Sequence, residues 1–112
     1  MESPALEIDC HTVQDALESG NPDMLLVDCR EPEEHATVHI TGATLLPMGQ
    51  IADRIAELQP HMARSIVVYC HHGMRSLRVV EWLRQQGFKQ SQSMAGGIDA
   101  WATEINPALP RY

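Results

Sequence analysis

The chain is 112 residues long, with 44% hydrophobic and 21% charged residues, which is typical of one globular domain with a single core. We place this domain at residues 1–112, with its core at about 5–104 and a short tail that contains proline. The formal net charge of −7 excludes a broad basic face, so we expect neither nucleic acid nor a membrane as a partner.

The first half of the chain alternates between strand and helix patterns. Residues 5–9 are predicted as a strand, and Thr12 with Asp15 gives the cap-like signature of a helix that runs to about Glu18. A continuous apolar run at residues 24–27 indicates a strand that is buried on both faces of a parallel sheet. The remaining elements of this half are a short helix from Pro32, a strand at residues 43–46 and a helix at residues 51–58.

The second half contains the strongest strand pattern. Residues 65–69, which are β-branched and aromatic, predict a central strand that runs directly into Cys70. Apolar residues at helical spacing predict a helix at 76–86, so residues 70–75 form a loop between that strand and that helix. The remaining elements are a weaker strand at residues 90–94 and a short helix from Ile98. This alternation predicts an α/β fold, a single domain with a mainly parallel central sheet flanked by helices on both faces.

The loop after the central strand, within YCHHGMRS at residues 69–76, carries the chemistry. Ligands of parallel sheets bind beyond the C-terminal ends of the strands, where Cys70 lies. A cysteine at the start of a helix is stabilised as thiolate and can have a pKa of about 3.5 to 7.5. Gly73 allows the positive φ that brings backbone amides close to the sulfur, and Arg75 can hold an oxyanion by two parallel hydrogen bonds. Such a Cys-to-Arg spacing also arises by chance, so an inert buried thiol is the alternative to a catalytic Cys70.

Four stretches of the sequence together resemble the rhodanese homology domain. They occur in the order of that family and are LLVDCREPEE (25–34), HITGATLLP (39–47), IVVYCHHGMRS (66–76) and MAGGIDAWA (94–102). The resemblance implies a rhodanese-like fold and a thiosulfate sulfurtransferase, in which Cys70 accepts the sulfane sulfur and Arg75 is the cation on the substrate side. It also implies that the loop shapes the substrate pocket, to which we assign His71, His72, Gly73, Met74 and Ser76.

The reaction implied by this resemblance uses a small anionic sulfur donor. We expect the Cys70 thiolate to attack the outer sulfur of thiosulfate or of another persulfide, which leaves a persulfide on Cys70. A thiol, cyanide or a protein acceptor then removes that sulfur in a second half-reaction. Neither a metal nor an organic cofactor is expected.

Asp28 and Arg30 match the Asp-x-Arg element of the same family. Asp28 is predicted as structural support, whereas Arg30 has two interpretations, an ion pair with Asp28 or a contact with substrate, and we include it among the substrate-binding residues. Cys29, between them, and Cys10 are interpreted as packing residues, with a disulfide from either to Cys70 left open. Three cysteines without an export signal are typical of a reducing compartment, so we expect a cytoplasmic protein.

The histidines of the loop are expected at the pocket mouth. His71 and His72 are adjacent and do not give a spaced set of metal ligands, so we predict no metal site there. Met74 is predicted to form a wall of the pocket, and Glu34 is expected as a surface acid in the first turn of its helix. Val38 stands where the family usually has glycine, so the turn near it is expected to differ.

Two rival functions are compatible with a cysteine loop of this kind. Cysteine phosphatases share the fold, but their loop has five residues between cysteine and arginine, whereas four lie between Cys70 and Arg75. We therefore expect no phosphatase activity. The rival from another class is a non-catalytic binding module, or a relay that passes sulfur to a partner protein. The presence of both Cys70 and Arg75 favours an enzyme.

Overall fold

The computed structural model describes residues 3–20 and 23–111. Five strands in these residues form one parallel sheet, and they are β1 (Glu7–Ile8), β2 (Met24–Asp28), β3 (Thr44–Leu45), β4 (Ser65–Tyr69) and β5 (Ser91–Met94). The α-helices of the described residues are α1 (Cys10–Glu18), α2 (Pro32–Thr37), α3 (Met74–Gln85) and α4 (Gly97–Glu104). The strand order is β1-β5-β4-β2-β3. The predicted α/β fold with a parallel central sheet is confirmed.

Strand β4 lies at the centre of the sheet and contributes to both cores, because successive side chains point to opposite faces. Ile66, Val68 and Cys70 pack in the core on the α3 face, and Val67 and Tyr69 pack in the core on the face of α1 and α4. All five side chains are at most 1% exposed. This double burial explains the continuous apolar run of a central parallel strand.

The observed boundaries match most of the predicted elements. The strand predicted at residues 65–69 is confirmed as β4, and the helix predicted at 76–86 is observed as α3, which begins two residues earlier. Helix α1 begins at Cys10 rather than Thr12, because the Asp9 carboxylate caps it by accepting a hydrogen bond from Thr12 N at 2.8 Å.

The helix predicted at residues 51–58 is wrong. This segment folds as consecutive turns and short 3-10 helices, among them Ile55–Glu57. Ile51 and Leu58 are buried against the α3 face of the sheet, and Ile55 packs beside them. In a 3-10 turn, residues three apart share a side, so the apolar spacing that predicted an α-helix also fits a chain of tight turns.

The described helices include none that is both long and apolar enough to cross a lipid bilayer.

Candidate active site

Cys70 lies directly after β4 and is surrounded by hydrogen-bond donors from the next residues of the chain. Its Sγ accepts a hydrogen bond from Gly73 N at 3.0 Å and another from Ser76 N at 3.4 Å. The Ser76 hydroxyl oxygen lies 3.4 Å from the same sulfur and can donate to it when the sulfur is a thiolate. The side chain is 1% exposed. The sequence predicts this convergence of donors on the sulfur.

Gly73 has the positive φ that the sequence predicts for it, with a value of 103°. This left-handed conformation turns its N–H toward Cys70 and places the residue at the start of α3, and non-glycine residues rarely adopt it. An added Cβ at Gly73 would also lie 3.2 Å from Gly96 N. Gly73 therefore shapes the loop through its backbone.

The environment of Cys70 favours its thiolate. The nearby Cys29 thiol has the largest effect and, together with the Ser76 and Gly73 donors, lowers the pKa of Cys70 to about 4, although burial acts in the opposite direction. The N-terminus of α3 adds the positive end of a helix dipole beside the sulfur. Cys70 is therefore charged at neutral pH.

Cys29 lies next to Cys70, on the same face of the sheet and at the end of the neighbouring strand. Asp28 of β2 pairs with Tyr69 of β4, and Cys29 N donates to Tyr69 O at 3.1 Å, so the two cysteines follow paired residues. The Cys29 side chain is buried in the same core as Cys70 and influences its pKa. The nearby Cys70 sulfur, with burial, raises the pKa of Cys29 above its ordinary value. The sequence favours packing for Cys29 and leaves a disulfide with Cys70 open, but it does not predict that Cys29 lies beside Cys70 on the neighbouring strand.

Arg75 lies in the first turn of α3 with its side chain 37% exposed. Its guanidinium donates two hydrogen bonds to the carboxylate of Glu34 from α2, at 2.8 and 2.9 Å. This ion pair raises the pKa of Arg75 above its ordinary value. Glu34 also accepts a hydrogen bond from Glu31 N at 3.0 Å, as part of the capping box of α2. Glu34, which the sequence predicts as a surface acid, thus forms a bidentate ion pair with Arg75.

Arg30 lies in the interior of the protein, and this position favours its ion-pair interpretation over the predicted contact with substrate. The side chains of Arg30 and Asp28 are both 0% exposed, and the guanidinium donates to Asp28 at 2.9 and 2.8 Å and to the Val38 carbonyl. The structural ion pair, which was the other interpretation, describes Arg30. A charged pair is retained inside a protein only when its remaining hydrogen bonds are also satisfied.

The Asp28 carboxylate is the centre of a wider buried network. It accepts hydrogen bonds from the Tyr69 hydroxyl at 3.2 Å and lies 2.8 Å from His35 Nδ1. The Tyr69 hydroxyl in turn accepts a hydrogen bond from Ile40 N at 3.1 Å. Val38, where the turn was expected to differ, has an extended backbone with φ of −161° that valine readily adopts. The network joins α2 and the segment after it to the C-terminal ends of β2 and β4.

The other predicted pocket residues separate into an outer and an inner group. His71 is half-buried and His72 exposed, and their rings stack with centroids 4.0 Å apart. Met74 is 75% exposed, so it stands in solvent instead of forming a wall. Ser76 is fully buried beside Cys70 and shares a 2.7 Å hydrogen bond with the Ser93 hydroxyl of β5. The histidines and Met74 thus lie at the loop surface, whereas Ser76 belongs to the sulfur site.

The side chains of Cys10, His11 and Glu104 form the one group in the described residues that lie close enough to share a metal ion. Cys10 belongs to the core on the α1 and α4 face, opposite Cys70. This group contains neither of the loop histidines, for which no metal site was predicted.

Gly97, at the first position of α4, holds the cysteine loop from the opposite side. Ile98 N donates to Cys70 O at 2.8 Å, and Asp99 N donates to His71 O at 3.1 Å. A Cβ added at Gly97 would overlap both of those carbonyl oxygens, and its φ is 60°. Sequence reasoning predicted a turn at the Gly96-Gly97 pair but not this contact with Cys70.

A family model for the rhodanese-like domain matches residues 9–104 of the chain. The chain belongs to the rhodanese-like domain family. This membership confirms the resemblance carried by the four sequence stretches, including the loop at Cys70.

Members of the rhodanese-like family similar to the chain include small sulfurtransferases. The chain is 40% identical over 103 residues to a sulfurtransferase of Allochromatium vinosum, which covers 92% of this chain and 94% of that protein. It is 32% identical over 89 residues to the thiosulfate sulfurtransferase GlpE of Pseudoalteromonas translucida, covering 80% of this chain and 83% of that one. Other curated relatives are much longer, and the chain spans 22% to 30% of their length.

A solved rhodanese-like structure has the same fold. The chain superimposes on the rhodanese-like domain protein from Staphylococcus aureus with a TM-score of 0.80 and 30% sequence identity, covering 90% of this chain and 95% of that one. The α/β architecture with its parallel five-stranded sheet is therefore the rhodanese-like fold.

Proposed function

We propose that the protein is a sulfurtransferase that carries sulfane sulfur as a persulfide on Cys70. The observation that carries this proposal is the convergence of the Gly73 and Ser76 donors on a single buried sulfur, with Gly73 N at 3.0 Å. Such donors stabilise the attacking thiolate, and they remain in place to stabilise negative charge on the sulfur that it acquires. Membership of a family with small sulfurtransferases supports the same reaction.

The donor that we propose is thiosulfate or a similar anionic sulfane. The Cys70 thiolate attacks the outer sulfur, the sulfur–sulfur bond of thiosulfate breaks, and sulfite leaves with the electron pair of that bond. The similarity of the chain to the thiosulfate sulfurtransferase of Pseudoalteromonas translucida supports this donor. No proton or electron is needed from a cofactor, because the donor sulfur is already at the oxidation level of a persulfide.

Arg75 is the cation that binds the anionic donor. Two N–H groups of its guanidinium already donate hydrogen bonds to the Glu34 carboxylate. Thiosulfate carries two negative charges and must compete with that carboxylate for the same two N–H groups. The ion pair is partly exposed, with the Arg75 side chain 37% and the Glu34 side chain 21% accessible, so water screens it and its exchange costs little. Glu34 thus sets how readily Arg75 accepts the donor.

Replacing Glu34 by glutamine should lower the KM for thiosulfate by about threefold and change kcat by less than about twofold. The neutral amide no longer competes as an anion for Arg75, so the ground-state binding of the donor improves. Steady-state kinetics with varied thiosulfate measure both constants. Glu33→Gln is the matched control, since Glu33 is exposed on the same helix. An unchanged or raised KM in Glu34→Gln alone would contradict this role of Glu34.

The acceptor attacks the outer sulfur of the Cys70 persulfide in the second half-reaction. Cyanide, a small thiol and a protein thiol are all acceptors by this chemistry, and ping-pong kinetics follow from the shared intermediate. The loop histidines lie where an acceptor would approach, with His71 half-buried and His72 exposed.

We also propose a cytoplasmic location, because the reaction needs free thiols and all three cysteines are unpaired.

A relay that passes sulfur to a partner protein is the second candidate function. It is favoured by the longer relatives named adenylyltransferase/sulfurtransferase, of which the chain matches 25% of the length. In a relay, Cys70 would take up sulfur and release it much faster to a protein thiol than to cyanide.

Phosphatase activity is expected to be absent, and a steady hydrolysis of an aryl phosphate that depends on Cys70 would contradict this expectation.

The persulfide can be located by peptide mass. After brief incubation of the reduced protein with thiosulfate, the intact mass should increase by one sulfur atom and return to its original value on addition of a thiol. Trypsin separates the candidates, because Cys70 lies in peptide 65–75 and both Cys10 and Cys29 lie in peptide 1–30. Added sulfur on peptide 65–75 supports the proposal. Sulfur on peptide 1–30 alone, or no added mass, would overturn it.

A further inference from the structure

Cys29 is a buried nucleophile that the proposed reaction does not use. It follows β2 where Cys70 follows the paired strand β4, it is 1% exposed, and its side chain is buried in the same core as that of Cys70. Neighbouring strands lie about 4.8 Å apart, which falls in the Cα separation of about 4.4 to 6.8 Å that a disulfide requires. The spacing of the two strands is therefore compatible with a disulfide between the cysteines that follow them.

We propose that Cys29 is a resolving cysteine that discharges the Cys70 persulfide and releases hydrosulfide. This inference rests on the proposed function, since it starts from the persulfide. Cys29 attacks the inner sulfur, Sγ of Cys70, and a Cys29–Cys70 disulfide forms. The bond between Sγ and the outer sulfur breaks, and the outer sulfur leaves with its electron pair.

The step balances without an external oxidant. The two cysteine sulfurs lose two electrons as the disulfide forms, and the sulfane sulfur accepts them. The proton of the Cys29 thiol leaves with the hydrosulfide. A dithiol reductant then restores both thiols by ordinary exchange. The net activity is the dithiol-dependent reduction of a sulfane sulfur to hydrosulfide, in addition to transfer to an acceptor.

The arrangement around Cys70 separates the attacking group from the donors. Cys29 contacts Cys70 from the neighbouring strand, whereas Gly73 and Ser76 contact it from the loop and the start of α3. Displacement at a disulfide sulfur proceeds through attack on one sulfur while the other departs, and these donors can stabilise the departing anion. Cys10 cannot take this part, because it lies in the core on the opposite face of the sheet.

The discharge is expected to be slower than transfer to a good acceptor. The nearby Cys70 sulfur and burial raise the pKa of Cys29, so Cys29 is a thiol and not a thiolate at neutral pH. The thiolate is the nucleophile in exchange reactions, so a protonated thiol reacts slowly. The persulfide therefore survives long enough to meet an acceptor, and Cys29 clears it when no acceptor arrives.

The test follows a single discharge in the absence of oxygen. Reduced protein is loaded with thiosulfate, excess thiosulfate is removed, and intact mass and released sulfide are followed with no acceptor present. The wild-type persulfide should decay to a mass two hydrogens below that of the reduced protein, with an equivalent amount of sulfide. Trypsin should then yield peptide 1–30 linked to peptide 65–75.

Cys29→Ser cannot form the disulfide, so after both proteins are loaded to the same extent its persulfide should last at least about tenfold longer than that of the wild type, whatever the rate of loading. Cys10→Ser is the matched control, since it removes the other cysteine of peptide 1–30, and it should behave as wild type.

Equal persulfide lifetimes in the wild type and in Cys29→Ser would overturn the inference, as would a crosslink that persists in Cys29→Ser. Sulfur found as a persulfide on peptide 1–30 would also overturn it, because Cys29 would then have attacked the outer sulfur. If wild type gains no sulfur from thiosulfate, the proposed function itself fails and this inference fails with it. The initial mass gain thus distinguishes the two failures.

Discussion

A Cys70→Ser variant should lose sulfur transfer from thiosulfate to cyanide by at least about a thousandfold while remaining folded. Serine has nearly the same size and accepts the same hydrogen bonds from Gly73 and Ser76. Its hydroxyl stays protonated where the pKa of Cys70 is lowered to about 4, and oxygen cannot carry the transferred sulfur as a persulfide. The transfer rate at neutral pH measures the loss, and circular dichroism checks the fold.

The matched control for Cys70→Ser is Cys10→Ser. Both thiols are almost fully buried, at 1% and 3% exposure, but they lie in the cores on opposite faces of the sheet. Cys10→Ser should retain transfer within about twofold of the wild type. Full activity in Cys70→Ser would mean that another cysteine is the nucleophile, and Cys29 would then be examined next.

Local features of the site could be predicted from the sequence because each depends on a few adjacent residues. The β-branched run of β4 indicates a buried strand by itself, and the next residues place Cys70 and Gly73 at the start of a helix. The positive φ of Gly73 and the convergent amides follow from that local geometry. The backbone geometry of the loop from Cys70 to Ser76 could accordingly be predicted.

Contacts between distant residues could not be predicted from the sequence in the same way. The Arg75–Glu34 pair joins residues 41 apart in the chain, and the Cys29–Cys70 contact depends on the register between β2 and β4. No pattern within either segment specifies the partner. A strand-order prediction that placed β2 beside β4 could have brought Cys29 to Cys70, since each cysteine directly follows its strand.

Arg30 shows why a motif alone does not assign a role. The Asp-x-Arg element predicts two charged side chains at a strand end, and both a structural pair and a substrate contact fit that placement. Whether the guanidinium faces the core or the pocket depends on acceptors elsewhere, here the carboxylate of Asp28 and the carbonyl of Val38. Burial of the whole pair, at 0% exposure for each side chain, decides the role.

A Gly97→Ala variant should be destabilised by about 3 kcal/mol or more and should lose most of its transfer activity. The added Cβ would overlap the carbonyl oxygens of Cys70 and His71, and the φ of 60° already disfavours any residue but glycine. Backbone atoms on both sides must move apart, which weakens the hydrogen bonds from Ile98 N and Asp99 N to those carbonyls. Chemical denaturation measures the change in the free energy of unfolding.

Gly49→Ala is the matched control for Gly97→Ala, because nothing lies within 4 Å of a Cβ added at Gly49 and its φ is not positive. It should change the free energy of unfolding by less than about 0.5 kcal/mol. If Gly97→Ala is folded but inactive, the loss arises from a displaced cysteine loop, and the persulfide should form more slowly on peptide 65–75. A Gly97→Ala protein as stable and active as Gly49→Ala would show that α4 does not hold the Cys70 loop in place.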